Sequence, residues 1–98
     1  MRLLEYERFE WDDAKAGRNG RSHGVTFDEG STVFDDPNVF IVFDTEHSQD
    51  EDRRTAVGFS SKGRLLAVSY TIRGARIRLI SARKATLREK RDYGKGQA

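Results

Sequence analysis

The stretch from Arg64 to Ser81 constrains this chain more than any other. Large apolar residues recur at every second position through it, with one break at Arg73-Gly74-Ala75. Leu66, Val68, Tyr70 and Ile72 fall at every second position, so they share one face of a strand over 64–73. Beyond the break, Ile77 and Leu79 alternate with Arg76 and Arg78 in a further strand over 76–81. A glycine between two such runs permits a tight hairpin turn. The pair needs other elements to bury its apolar face.

The rest of the chain supplies them. Val39-Phe40-Ile41-Val42-Phe43 is a continuous apolar run, which predicts a central strand covered on both faces. Arg54 to Phe59 reads as the next strand, and Ser60-Ser61-Lys62-Gly63 as the turn that follows. Near the N-terminus, Phe9-Glu10-Trp11 forms a short aromatic alternation. Asp12 or Asp13 then caps a helix over about 13–22, which His23-Gly24 ends. Thr26 and Glu29 have capping-box spacing and open a second short helix, closed by Asp35-Asp36-Pro37, with Phe27, Val33 and Phe34 inward. Thr86 and Glu89 repeat that spacing at the start of a last, basic helix carrying Tyr93. The order β-α-α-β-β-β-β-α predicts an α+β fold: a small antiparallel β-meander sheet, with N-terminal helices and a C-terminal helix against one face. The 98 residues suit one domain over 1–98, with 94–98 as a frayed tail.

Several function classes drop out. The chain has no cysteine, which removes disulfides, thiol catalysis and cysteine-ligated metals. No apolar run approaches the roughly 20 residues of a membrane-spanning helix, and the first residues lack the pattern of a signal peptide. A cytoplasmic protein with no membrane partner is expected. Phosphate-binding glycine loops, the nucleophile-elbow pentapeptide and the paired-histidine zinc motif are all absent. His47 sits among Asp44, Glu46, Asp50, Glu51 and Asp52, but in no recognised ligand spacing, so neither metal nor cofactor is expected. Lys15, Asn19 and His23 share one helix face, where packing and hydrogen bonding at the helix end are the expectation.

Charge is divided unevenly along the chain. Residues 1–52 contain 5 basic and 14 acidic residues, whereas 53–98 contain 13 basic and 2 acidic. Either the two halves neutralise each other on folding, or the basic half meets a polyanion. Its basic residues are mostly arginine: Arg53, Arg54, Arg64, Arg73, Arg76, Arg78 and Arg83, then Lys84 and Arg88. Guanidinium forks bind phosphate oxygens in bidentate fashion and stay charged at any relevant pH.

Two blocks of the chain resemble a known family. Phe9-Glu10-Trp11-Asp12, Lys15, Asn19, His23-Gly24-Val25-Thr26-Phe27 and Val33-Phe34-Asp35-Asp36-Pro37 resemble the N-terminal signature of the BrnT toxins. Arg53, Val57-Gly58-Phe59-Ser60, Gly63-Arg64-Leu65-Leu66, Arg76-Ile77-Arg78 and Ile80-Ser81-Ala82-Arg83-Lys84-Ala85-Thr86, with Glu89 and Tyr93, are similar to its C-terminal hallmark. The departures are Ser22 in place of a basic residue, Arg54 in place of an aromatic, and Gly17 and Gly30 where alanine is usual. Each glycine is expected to weaken its helix by about 1 kcal/mol.

The resemblance implies a RelE-like fold and a type II toxin that arrests growth by cutting RNA. It also implies neutralisation by a BrnA-like ribbon-helix-helix antitoxin in a heterotetramer, which reaches operator DNA through the antitoxin. In a metal-free ribonuclease the substrate 2′-hydroxyl is the nucleophile, and the protein positions it, moves protons and stabilises charge. Arg53, Arg73 and Arg83 are then the expected ligands of the scissile phosphate. Glu51 and His47 are candidates for proton transfer, with Tyr93 as another donor, while Arg54, Arg64, Arg76, Arg78, Lys84 and Arg88 hold the RNA. The reading from another class is a noncatalytic module whose basic face binds nucleic acid or antitoxin.

Overall fold

The computed structural model describes residues 9–43 and 52–96. In chain order the elements are β1 (Phe9–Glu10), α1 (Asp13–His23), α2 (Phe27–Ser31), a 3₁₀ turn (Thr32–Asp35), β2 (Phe40–Phe43), β3 (Arg54–Phe59), β4 (Leu65–Arg73), β5 (Arg76–Lys84) and α3 (Leu87–Gly96). The fold is α+β, as expected. The strands form one sheet in the order β1-β5-β4-β3-β2. From β2 to β5 it is an antiparallel meander. The short β1 joins β5 in parallel, with Phe9 opposite Ile77 and Glu10 opposite Arg78, so the sheet is mixed.

Local chemistry sets the helix ends. The Asp12 side chain accepts from the Lys15 N–H at 3.1 Å and starts α1. Gly24 ends it in the left-handed region (φ 68°), its N–H reaching Gly20 O at 2.9 Å. At α2 only half of the expected capping box forms. Thr26 Oγ1 accepts from the Glu29 N–H at 3.0 Å, but the Glu29 carboxylate turns to Ser60 and Arg64. The second box closes fully: Thr86 N–H donates to Glu89 Oε1 at 2.8 Å and Glu89 N–H to Thr86 Oγ1 at 3.1 Å.

One sheet face carries the main core. Val25, Phe27 and Val33 pack on Leu66, Val68, Tyr70, Ile77 and Leu79. Trp11 meets Phe27 edge-on at 5.8 Å, and Phe34 meets Tyr70 likewise at 5.0 Å. Beyond the two-residue β1, the edge of β5 is completed by a side chain. Asn19 donates to Ala82 O (2.8 Å) and Val25 O (2.9 Å), and its carbonyl accepts from Ala82 N–H (3.0 Å). Of the three residues on that helix face, Asn19 is buried while Lys15 and His23 are exposed. At Gly30 the helix approaches closely enough that a methyl group would lie 3.0 Å from the Ala82 Cβ.

Two expectations are corrected. The helices do not all lie on one face, because α3 packs on the other, where Tyr93 meets Val57 and Ala67 beside Phe40 and Leu65. Leu65 and Ala67 occupy odd positions of β4, opposite its even-numbered apolar stripe, and Val57 and Phe40 lie on their side by register. Nor is the apolar run 39–43 central: β2 is an edge strand, and Phe43 is 63% exposed. A continuous apolar run has the same pattern in a covered strand and in an edge strand whose cover lies elsewhere.

A bulge in the β4–β5 ladder has the largest consequence. Tyr70 pairs with Leu79, yet its neighbour Ser69 pairs with Ser81, leaving Ile80 as the extra residue. Simple alternation would put Arg83 on the face of Ile77 and Leu79. The extra residue reverses the phase, so that Arg83, opposite Ala67, shares a face with Arg76 and Arg78.

Candidate functional site

On the face opposite the main core, the register builds three adjoining rows. The middle row crosses three strands with hydroxyls: Thr55 opposite Ser69, and Ser69 opposite Ser81. All three are half-buried. One flanking row has Arg78 opposite Thr71, followed toward the hairpin end by Arg76 opposite Arg73. The Thr71 hydroxyl donates to Asp52 O at 2.9 Å, which ties the chain just before Arg53 to this row. Arg53 immediately precedes β3, two residues before Thr55. The other flanking row has Val57, Ala67 and Arg83. Thr71 and Ala67 stand four residues apart, roughly 13 Å along the strand. Arg78 and Arg83 therefore flank the hydroxyl row from its two sides.

Two carboxylates organise the arginines. Glu89 holds Arg83 in a bidentate pair, with Nη1 to Oε1 at 2.8 Å and Nη2 to Oε2 at 3.0 Å. The same carboxylate caps α3, so the helix start and the arginine fix each other. The Arg83 guanidinium outweighs burial and, with the Thr86 N–H, keeps the Glu89 carboxyl below its usual range. The Arg83 side chain remains 38% exposed. Glu10 receives Arg78 at 2.9 Å and Arg76 at 3.7 Å. Arg73 has no ion-pair partner among the described residues. Among the described residues, Arg73, Arg76, Arg78 and Arg83 thus share the face with the carboxylates of Glu10 and Glu89.

The remaining arginines expected to hold RNA are not part of these rows. Arg64 lies on the core face, where it pairs with the buried Glu29 and donates to Gly24 O at 3.2 Å. Arg54, opposite Tyr70, is also on the core face, with its guanidinium 5.1 Å from the Phe43 ring centre. Lys84 pairs with Leu66 on that side, and Arg88 is exposed on α3. Arg64, Arg76 and Arg78 are all matched with acids of the N-terminal half, so the charge asymmetry is used partly for folding. Tyr93 is a core residue: its hydroxyl donates to Asp36 Oδ2 at 2.7 Å. Burial, with the Asp36 carboxylate, raises the phenol to about 12. Burial pushes the Asp36 carboxyl up, but the Phe59 N–H, Tyr93 hydroxyl and Asn38 N–H outweigh it and hold it below its ordinary value. His47 and Glu51 lie outside the described residues.

The hydroxyl floor and Glu10 are site features that the motif reading passed over. Thr55, Ser69 and Ser81 are small polar residues at outward strand positions, an ordinary pattern for a solvated face. Glu10 could have been found from the same-face rule only with the parallel β1–β5 pairing in hand.

Arginines and small hydroxyl residues thus share the sheet face on which α3 packs. The family model described as the ribonuclease toxin BrnT of type II toxin–antitoxin systems matches residues 11–89. The chain belongs to this BrnT family. Its structure resembles the crystal structure of the Brucella abortus ribonuclease toxin BrnT with a TM-score of 0.63 and 21% sequence identity, over 81% of this chain and 96% of that one. No curated protein matches it in sequence. No helix among the described residues is long and apolar enough to cross a membrane.

Proposed function

We propose that this protein is an endoribonuclease that cleaves RNA without a metal ion and arrests growth in the cytoplasm until a BrnA-like antitoxin neutralises it. The observation behind this reading is that Arg73, Arg76, Arg78 and Arg83 share one sheet face by register, with Arg53 immediately before β3. In the proposed step the 2′-oxygen bonds to phosphorus, the bond to the 5′-oxygen breaks, and the proton lost by one is gained by the other. Arg53, Arg73 and Arg83 neutralise the added charge of the transition state, a role whose loss costs about a hundredfold or more in rate. Arg76 and Arg78 hold flanking phosphates, exchanging counterions for guanidinium contacts. His47 and Glu51 are the candidates for moving the proton. Tyr93, with its proton held by Asp36, serves the fold.

The antitoxin in this reading is a ribbon-helix-helix protein that forms a heterotetramer with the toxin and carries it to operator DNA. An acidic segment of it lies over the arginine face. The RelE kinship implied by the resemblance is part of the same proposal.

The test is incubation of purified protein with RNA in excess EDTA. Fragments ending in 2′,3′-cyclic phosphate are expected, and Arg83→Ala should reduce their rate at least a hundredfold while leaving the folded signal intact. Binding without fragments would replace the enzyme by a noncatalytic module. Cleavage abolished by EDTA would remove metal independence, and wild-type cleavage by the variant would remove Arg83.

A further inference from the structure

On the core face, the end of the sheet nearest the β4–β5 hairpin is not covered by α1 or α2. Phe34, Ile41, Arg54, Tyr70, Ile72 and Ile77 line a depression of about 590 Å³ there. Ile41, Phe43 and Ile72 are 42%, 63% and 45% exposed, and all three belong to this face by register. Such a run of large apolar side chains on one side of a small domain marks a place where something docks.

Three features define the occupant. RNA is a poor fit, because the patch is apolar and lies on the opposite side of the sheet from the arginine rows. Among the described residues Arg54 is the only cation lining the depression, and its Nε is buried with no hydrogen-bond acceptor. The guanidinium lies over Phe43 and has no carboxylate partner among the described residues. Two carboxylates also line the depression: Asp36 is already saturated by Phe59, Tyr93 and Asn38, and Asp35 is exposed to solvent. Finally, among the described residues β2 pairs only with β3, so its outer edge offers main-chain groups to an extended segment.

We propose that this patch is where the antitoxin anchors. An extended antitoxin segment lies along β2, places apolar side chains over Ile41, Phe43 and Ile72, and presents a carboxylate to Arg54. The inference rests on the toxin–antitoxin reading and adds to it a docking site separate from the RNA face. It follows that capture and active-site masking are separable: a toxin altered here escapes neutralisation and still cuts RNA.

The experiment compares wild type with Phe43→Glu, Ile72→Glu and the double variant, using the antitoxin encoded by the neighbouring reading frame. Calorimetric titration reads binding directly, and RNA cleavage reads inhibition. Antitoxin affinity is expected to fall at least tenfold in each single variant and further in the double, with a matching rise in the antitoxin needed for half inhibition. RNA cleavage by the free variants stays at the wild-type rate. Phe43→Leu, which keeps the apolar surface, binds like wild type, and Phe43→Ser provides the same test if the charged variants do not fold. Binding of the folded double variant within twofold of wild type overturns the proposal. So does a wild-type dimer that the double variant dissociates while antitoxin binding is unchanged, since the patch would then join two copies of this chain. If the wild type binds antitoxin but cuts no RNA, the ribonuclease reading fails while the titration still decides the docking site.

Discussion

Replacing Glu29 by glutamine tests how the acidic half anchors the basic half. Glu29 is 4% exposed and accepts from Ser60 Oγ at 2.7 Å, Arg64 Nε at 2.9 Å and Arg64 Nη2. The Arg64 guanidinium, opposed by burial and aided by the Ser60 hydroxyl, lowers the carboxyl from 4.5 to about 2. At about 1.4 kcal/mol per decade, that corresponds to roughly 3 kcal/mol of stability at neutral pH. The amide keeps the shape but loses the charge and offers an N–H₂ to a donor. Arg64, whose side chain is 34% exposed, regains some water, so the loss stays below that of a sealed ion pair. The expected cost of Glu29→Gln is about 2–3 kcal/mol, or roughly 10–20 °C in Tm for a chain of this size. The carboxyl titrates lower in the folded state than in the unfolded state. Its contribution is therefore complete above about 4.5 and disappears as pH falls toward about 2. Glu29→Gln has nothing to lose in that window, so the two stability curves converge there. Urea unfolding followed by Trp11, which packs on the neighbouring Phe27, measures both curves. A gap under about 1 kcal/mol at pH 7, or one as large near pH 2 as at pH 7, would refute the reasoning.

Asn19→Ala leaves the Ala82 N–H and two buried carbonyls without partners and should cost about 3 kcal/mol in urea unfolding. The two helix glycines should respond oppositely to alanine. Gly17→Ala, whose methyl meets only the tip of Arg21 at 3.6 Å, should stabilise by about 0.5–1 kcal/mol. Gly30→Ala should destabilise by about 1–3 kcal/mol, because the methyl meets Ala82; thermal melts that rank them the other way would contradict the packing. Tyr93→Phe should cost about 1–2 kcal/mol at neutral pH by removing the bond to Asp36. The phenol is raised in the folded state, so its contribution is complete below pH 10 and is lost as pH rises toward about 12. The stability of the wild type should therefore fall toward that of the variant in that range, which denaturant melts at alkaline pH would show.

Much of the local structure was legible in the sequence because short-range chemistry decides it. Asp12 and Thr26 start helices through their own side chains, and Gly24 and Gly74, at φ 68° and 62°, end a helix and turn a hairpin. The even-numbered apolar stripe of β4 faces the core as alternation requires. The usual cost of glycine in a helix is a sound expectation at Gly17, which meets nothing rigid, but not at Gly30, where the neighbouring strand excludes a methyl group.

The candidate site was legible only as a list of arginines. Sequence alone determined that this chain carries 13 of its 18 basic residues in the second half and that β4 and β5 form a hairpin. Which cations share a face was a tertiary decision. The extra residue at Ile80 shifts the phase of β5 by one, and a period-2 pattern sends every later side chain to the opposite side when that happens. The bulge thus brings Arg83 to Arg76 and Arg78, while Arg64 and Arg54, in the other phase, turn to Glu29 and Phe43.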